Sequence, residues 1–81
     1  METASVKLNF PIQVNGKAIE ELSLRRPKVR DRLAVEKMNG AEAEKEIRFI
    51  ANLCEVAPSD IEELDMSDYV RVQEALAGFL S

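Results

Sequence analysis

Between Val6 and Val14 the chain alternates apolar and polar residues and then runs straight into Asn15-Gly16. Val6, Leu8, Phe10, Ile12 and Val14 fall on one side, and Lys7, Asn9, Pro11 and Gln13 on the other. A period of two is the mark of a half-buried strand. Asn-Gly suits the two positive-φ positions of a type I′ turn, which predicts a return strand from about Lys17 to Leu24. Pro11 has no N–H to offer a ladder, so the first strand should be an edge there. On the return strand the alternation slips. A two-residue turn pairs Val14 with Lys17 and Ile12 with Ile19, and unbroken register would then set Phe10 against Glu21. One extra residue near Glu20-Glu21 would bring Leu22 and Leu24 onto the apolar face. A β-bulge is predicted at that point, because a slip of one residue flips every later side chain.

A two-stranded ribbon with one oily face is marginal alone, so the rest of the chain must cover it. After Leu24 the period becomes helical. Pro27 suits a first turn, and a helix is predicted from about Lys28 to Met38, with Val29, Leu33 and Met38 inward and Asn39-Gly40 ending it. A second helix spans about Ala41 to Glu55. Ala43, Ile47, Ile50, Ala51 and Cys54 share one face, Phe49 and Leu53 widen it, and Glu44 and Arg48 are spaced for an i,i+4 pair. Ser59 with Glu62 forms a capping box for one short turn, and Asp65 with Asp68 resembles another. The last helix covers Met66 to Phe79, burying Met66, Tyr69, Val70, the stem of Gln73, Leu76 and Phe79. The expected fold is α+β: an N-terminal β-hairpin packed on three α-helices plus one short helical turn. Residues 1–5 are expected to be a flexible N-terminus and 6–81 a single domain.

The 81 residues suffice for one domain with a thin core. Hydrophobic residues make up 46% and charged residues 32%, too apolar a mixture for a disordered chain. The net charge of −4 opposes nucleic-acid binding, which needs Lys and Arg to displace counterions. A lone cysteine, Cys54, fits a reducing cytoplasm. Met1 to Ser5 lack the basic and apolar regions of a signal peptide, and no stretch approaches the roughly 20 apolar residues that cross a bilayer. The absence of histidine removes the commonest general base. No nucleophile–base pair, glycine-rich phosphate loop or metal-ligand cluster is visible, so neither an enzyme nor a cofactor is expected.

Two charged stretches stand out. Arg25, Arg26, Lys28, Arg30 and Arg32 form a basic run opposed by Asp31. It is either a patch for an acidic partner or RNA, or a solvated exit from the hairpin facing the acids that follow; the second reading is the more ordinary. No aromatic residue is interleaved for base stacking. From Glu55 to Asp68 there are six acids and no base. A calcium loop would need a central glycine and fixed ligand spacing, whereas capping explains Asp60, Asp65 and Asp68 more simply. Cys54 lies on an apolar helix face with no activating neighbour and reads as a core residue. Phe79 is expected to pack on the core and Leu80 to be exposed.

Taken in order, LNFPIQVNG, IEELSLRRP, VRDRLAVEK, AEKEIRFIANLCEVAPSDIEEL and SDYVRVQEALAGFL resemble the tail assembly chaperone family of contractile-tailed phages and prophages, over about Val6 to Leu80. The resemblance implies a non-enzymatic protein of the bacterial host cytoplasm that binds the tape-measure protein and keeps it soluble during tail morphogenesis. Tail-tube subunits then displace it, and it is absent from the mature virion. It also implies tail-tube protein as a further partner, and a longer frameshifted form of the same protein, of which this would be the short form. No nucleic acid, membrane or small-molecule substrate is expected. Arg25, Arg26, Lys28, Arg30, Phe79 and Leu80 are the candidate partner-binding residues. Two positions depart from the family pattern: Arg26, where an acidic or neutral residue is common, and Glu55, where glycine is common.

Two other classes compete. Ile50 to Gln73 has a helix–turn–helix flavour, with Ala51, Val56, Ile61 and Leu64 at buried positions, which would make a small transcriptional or antitoxin regulator. Its recognition segment, Ser59 to Leu64, is acidic and meets phosphates with the wrong sign. An acyl-carrier-like module would be all-helical and carry an Asp-Ser-Leu site, which this chain lacks.

Overall fold

A computed structural model describes residues 2–81. Strands β1 (Thr3–Val14) and β2 (Lys17–Arg25) form an antiparallel hairpin, followed by helices α1 (Val29–Glu36), α2 (Glu42–Cys54), α3 (Pro58–Glu62) and α4 (Met66–Phe79). This is the α+β architecture read from the alternation and the change of period. Asn15 and Gly16 take φ of 52° and 81°, as the type I′ turn requires. The first strand begins at Thr3 rather than Val6, with Thr3, Ala4 and Ser5 paired to Arg25, Leu24 and Ser23. Of the stretch 1–5 expected to be flexible, Met1 lies outside the described residues.

The hairpin's apolar face, with Val6, Leu8, Ile12, Leu22 and Leu24, lies on Ile50, Ala51 and Leu53 of α2. Ile61, Leu64 and Val72 close the core from α3 and α4. β1 meets α3 and α4, β2 meets α2, and α1 and α3 flank α2. The broad apolar face of α2 thus makes it the central helix. Ala43, expected on that face, is exposed one turn before the contact begins.

The register slip exists, but on the other strand. Ile12 pairs with Ile19, and the next pair is Lys7 with Glu21. Leu8, Asn9, Phe10 and Pro11 therefore span what Glu20 alone spans on β2. The excess is odd, so it flips the facing of β2 as a single inserted residue would. Leu22 and Leu24 reach the core, opposite Val6 and Ala4. Pro11 gives the physical reason for the placement: the chain bulges where it has no N–H to pair. The same bulge turns Phe10 out of the core, to 58% exposure.

Two helices are rolled relative to their sequence-based expectation. On α1 the buried residues are Asp31 and Val35, while Val29 and Leu33 are 79% and 55% exposed. The helix ends at Glu36, before Met38, and Gly40 at φ 143° leads into α2. On α4, Asp68 and Val72 are fully buried, whereas Met66 and Val70 are exposed. On α4 the expected Tyr69, Leu76 and Phe79 do pack against the core, and the helix is rolled only far enough to bury Asp68 and Val72 as well. On α1 apolar content points the wrong way, because Asp31 takes the inward position.

The caps also differ in detail. Ala57, not Ser59, caps α3, with Pro58 at its first position and Asp60 turned back to the Ala57 N–H at 3.0 Å. Asp65 caps α4 by accepting from the Ser67 N–H at 3.0 Å. Glu44 accepts from the Ala41 N–H at 3.2 Å and caps α2 instead of pairing with Arg48. Glu55 ends α2 at φ 58°, in the left-handed region, and the following Val56 N–H returns to the Ala51 carbonyl at 3.1 Å. This closure is a Schellman ending, for which glycine is the ordinary residue.

Candidate functional site

Arg25, at the last position of β2, makes a fork with Asp31 on α1 through Nη1 to Oδ2 at 2.9 Å and Nη2 to Oδ1 at 2.6 Å. Asp31 Oδ2 also accepts the Lys28 N–H at 2.7 Å, which caps the start of α1. The Arg25 hydrogen bond is the largest influence on Asp31. Together with the Lys28 N–H it outweighs burial and holds the carboxyl down at about 2. One aspartate thus fastens the hairpin exit and sets the roll of α1, turning Val35 inward and Val29 and Leu33 outward. Arg26 pairs with Glu2 at 2.9 Å and lies 5.5 Å from the Phe79 ring centroid.

With α1 so placed, a groove of about 330 Å³ opens between it, α2 and the end of α4. Val35, Phe49 and Leu80 give it apolar surface, and Arg32, Glu36, Glu42, Lys45 and Glu46 charge its sides. Leu80 is 72% exposed although it lines this groove. Glu46 Oε1 accepts from Tyr69 Oη and Gln73 Nε2, both at 2.6 Å, so the groove wall is tied to α4. Burial, then the hydrogen bond to Glu46, raises the Tyr69 phenol above its ordinary value.

A second buried aspartate ties α4 to β1. Asp68 accepts the Asn9 N–H at 3.1 Å and the Phe10 N–H at 3.0 Å, the two amides left without ladder partners by the bulge. Arg71 donates to Asp68 and to the Lys7 carbonyl. Burial works to raise the Asp68 carboxyl, but the Arg71 and backbone bonds prevail and keep it below the usual carboxylate range. The capping role expected of Asp68 therefore does not hold: Asp65 caps alone, and Asp68 reaches across to β1. Spacing suggested a cap, and only the unpaired amides beside Pro11 hinted at the real partner.

Of the six sequence-predicted site residues, the structure brings Arg26 and Phe79 into contact. Arg25 is engaged with Asp31, and Phe79 is half-buried beneath Arg26. Lys28, Arg30 and Leu80 are exposed. Sequence reading missed the groove, because Phe49 reads as part of the apolar face of α2, Arg32 only as part of a basic run, and Val35 has no place beside the inward Val29 and Leu33 that the periodicity predicts. Cys54 is half-buried against the core, and burial pushes its thiol up to about 11, which opposes a nucleophilic role. Asp60 and Asp65 are engaged at helix starts. No helix among the described residues is long and apolar enough to cross a membrane.

The family model for phage tail assembly chaperone proteins, E, or 41 or 14, matches residues 5–81. No curated protein and no solved structure matches the chain. The family match takes in the hairpin from Ser5 onward, both buried aspartates and all the residues of the groove, and the chain belongs to the phage tail assembly chaperone family.

Proposed function

We propose that this domain binds the tape-measure protein in the cytoplasm of the bacterial host and keeps it soluble until tail-tube subunits polymerise around it. It acts by occlusion, without catalysis, and leaves before the virion is complete. The observation that supports this reading is the open groove of Val35, Phe49 and Leu80 with charged sides. An amphipathic helix laid in such a groove hides the stripe through which it would otherwise aggregate. Displacement by tube subunits requires a reversible contact, so an interface of only moderate size is expected. Arg26, Lys28 and Arg30 of the basic run lie outside the groove lining and serve as the charged approach to it, with Leu80 at its rim. Tail-tube protein and a longer frameshifted form are the further partners on this reading. Co-expression with the tape-measure protein of the same phage tests it: the two should co-purify, and the soluble fraction of the tape-measure protein should rise. A client that stays insoluble and fails to co-purify sinks the proposal.

A further inference from the structure

We infer that the outward face of α1 is a recognition surface for an acidic amphipathic helix of the partner. It depends on the chaperone reading for who the partner is, and on α1 alone for the partner's chemistry. Val29 and Leu33 are one turn apart on the side opposite Asp31 and Val35, so they form one exposed apolar stripe. Arg30 and Lys37 fall along one side of that stripe and Arg32 along the other, with Glu36 the acid among them. Arg25 is neutralised by Asp31 and Arg26 by Glu2, and neither belongs to this face. The result is a positive, apolar face on a chain whose net charge is −4.

The Arg25–Asp31 fork holds α1 without help from Val29 or Leu33, so the stripe is free to meet another surface. Charge complementarity selects an acidic partner, and two apolar side chains one turn apart select a helix with apolar residues at the same spacing. A phosphate backbone would satisfy the arginines and leave Val29 and Leu33 facing charge, so a nucleic acid fits less well. Arg32 also stands on the wall of the groove, which makes the two surfaces continuous.

Fluorescence anisotropy with the full chain and two synthetic amphipathic peptides tests this, one with glutamates and one with lysines flanking the same leucine stripe. The glutamate peptide should bind, more weakly as salt rises, and the lysine peptide should not. The double variant V29S/L33S should lose about tenfold or more in affinity with an unchanged melting temperature. R30E/R32E should exchange the preference for the lysine peptide. Equal binding of both peptides, no binding of the glutamate peptide, or wild-type affinity in either variant overturns the inference. So does displacement of the peptide by a DNA duplex, or self-association that V29S/L33S abolishes. If the tape-measure protein fails to co-purify while the glutamate peptide still binds as described, the chaperone reading falls and this surface stands.

Discussion

Single residues carry more of this fold than their number suggests. Asp68 joins two backbone amides of the bulge to Arg71, accepting all three bonds through one carboxylate. Asp68→Asn keeps the shape but replaces one acceptor with a donor, so the melting temperature should fall and amide exchange at Asn9 and Phe10 should quicken. Glu55 tells the opposite story. It occupies a left-handed position that costs an L-residue roughly 1 kcal/mol or more, so Glu55→Gly should stabilise by about 1 kcal/mol in urea unfolding. Cys54 should react with a thiol reagent far more slowly in the native protein than in the unfolded chain, since burial raises its thiol to about 11.

At the scale of elements, the decisive fact is that apolar area docks α2, whereas a buried aspartate orients α1 and, together with Val72, α4. For α2 the sequence pattern sufficed: its wide stripe of Ile50, Ala51 and Leu53 faces the hairpin as hydrophobic periodicity predicts. For α1 it did not, and for α4 it held for Tyr69, Leu76 and Phe79 but not for Met66 and Val70, because a pattern that counts apolar residues cannot see that Arg25 lies within reach of Asp31, or that the bulge leaves amides for Asp68. The hairpin, its turn and the parity of its slip were legible. Which strand would carry the excess was not, since either choice brings Leu22 and Leu24 inward. Replacing Asp31 with Asn should cost about 1–3 kcal/mol at neutral pH through the Arg25 fork and the Lys28 amide. Because the folded carboxyl sits at about 2 against an unfolded value of about 3.9, its contribution is complete above pH 4. It is lost as pH falls towards 2. Asp68 shifts in the same direction and adds to this acid sensitivity. Denaturant midpoints taken across that range should fall less steeply in Asp31→Asn than in the wild type.

Across the whole molecule, the proposed client groove shares Phe49 with the margin of the core, while its rim and the outer stripe of α1 are not needed for that core. The hairpin and the inner faces of α2, α3 and α4 make the core, while Leu80, Val29 and Leu33 stay outside it. Leu80→Asp should therefore leave stability within about 0.5 kcal/mol while reducing co-purification of the tape-measure protein. The central claim is that the groove between α1, α2 and the end of α4 receives that client. Hydrogen exchange of the domain, free and bound to the tape-measure protein, reads this most directly. New protection is expected over Val29–Glu36, the first turns of α2 and the last turn of α4, with α3 and the Asn15-Gly16 turn unchanged. Protection centred on α3 or on that turn, with the groove helices exchanging as before, would contradict it.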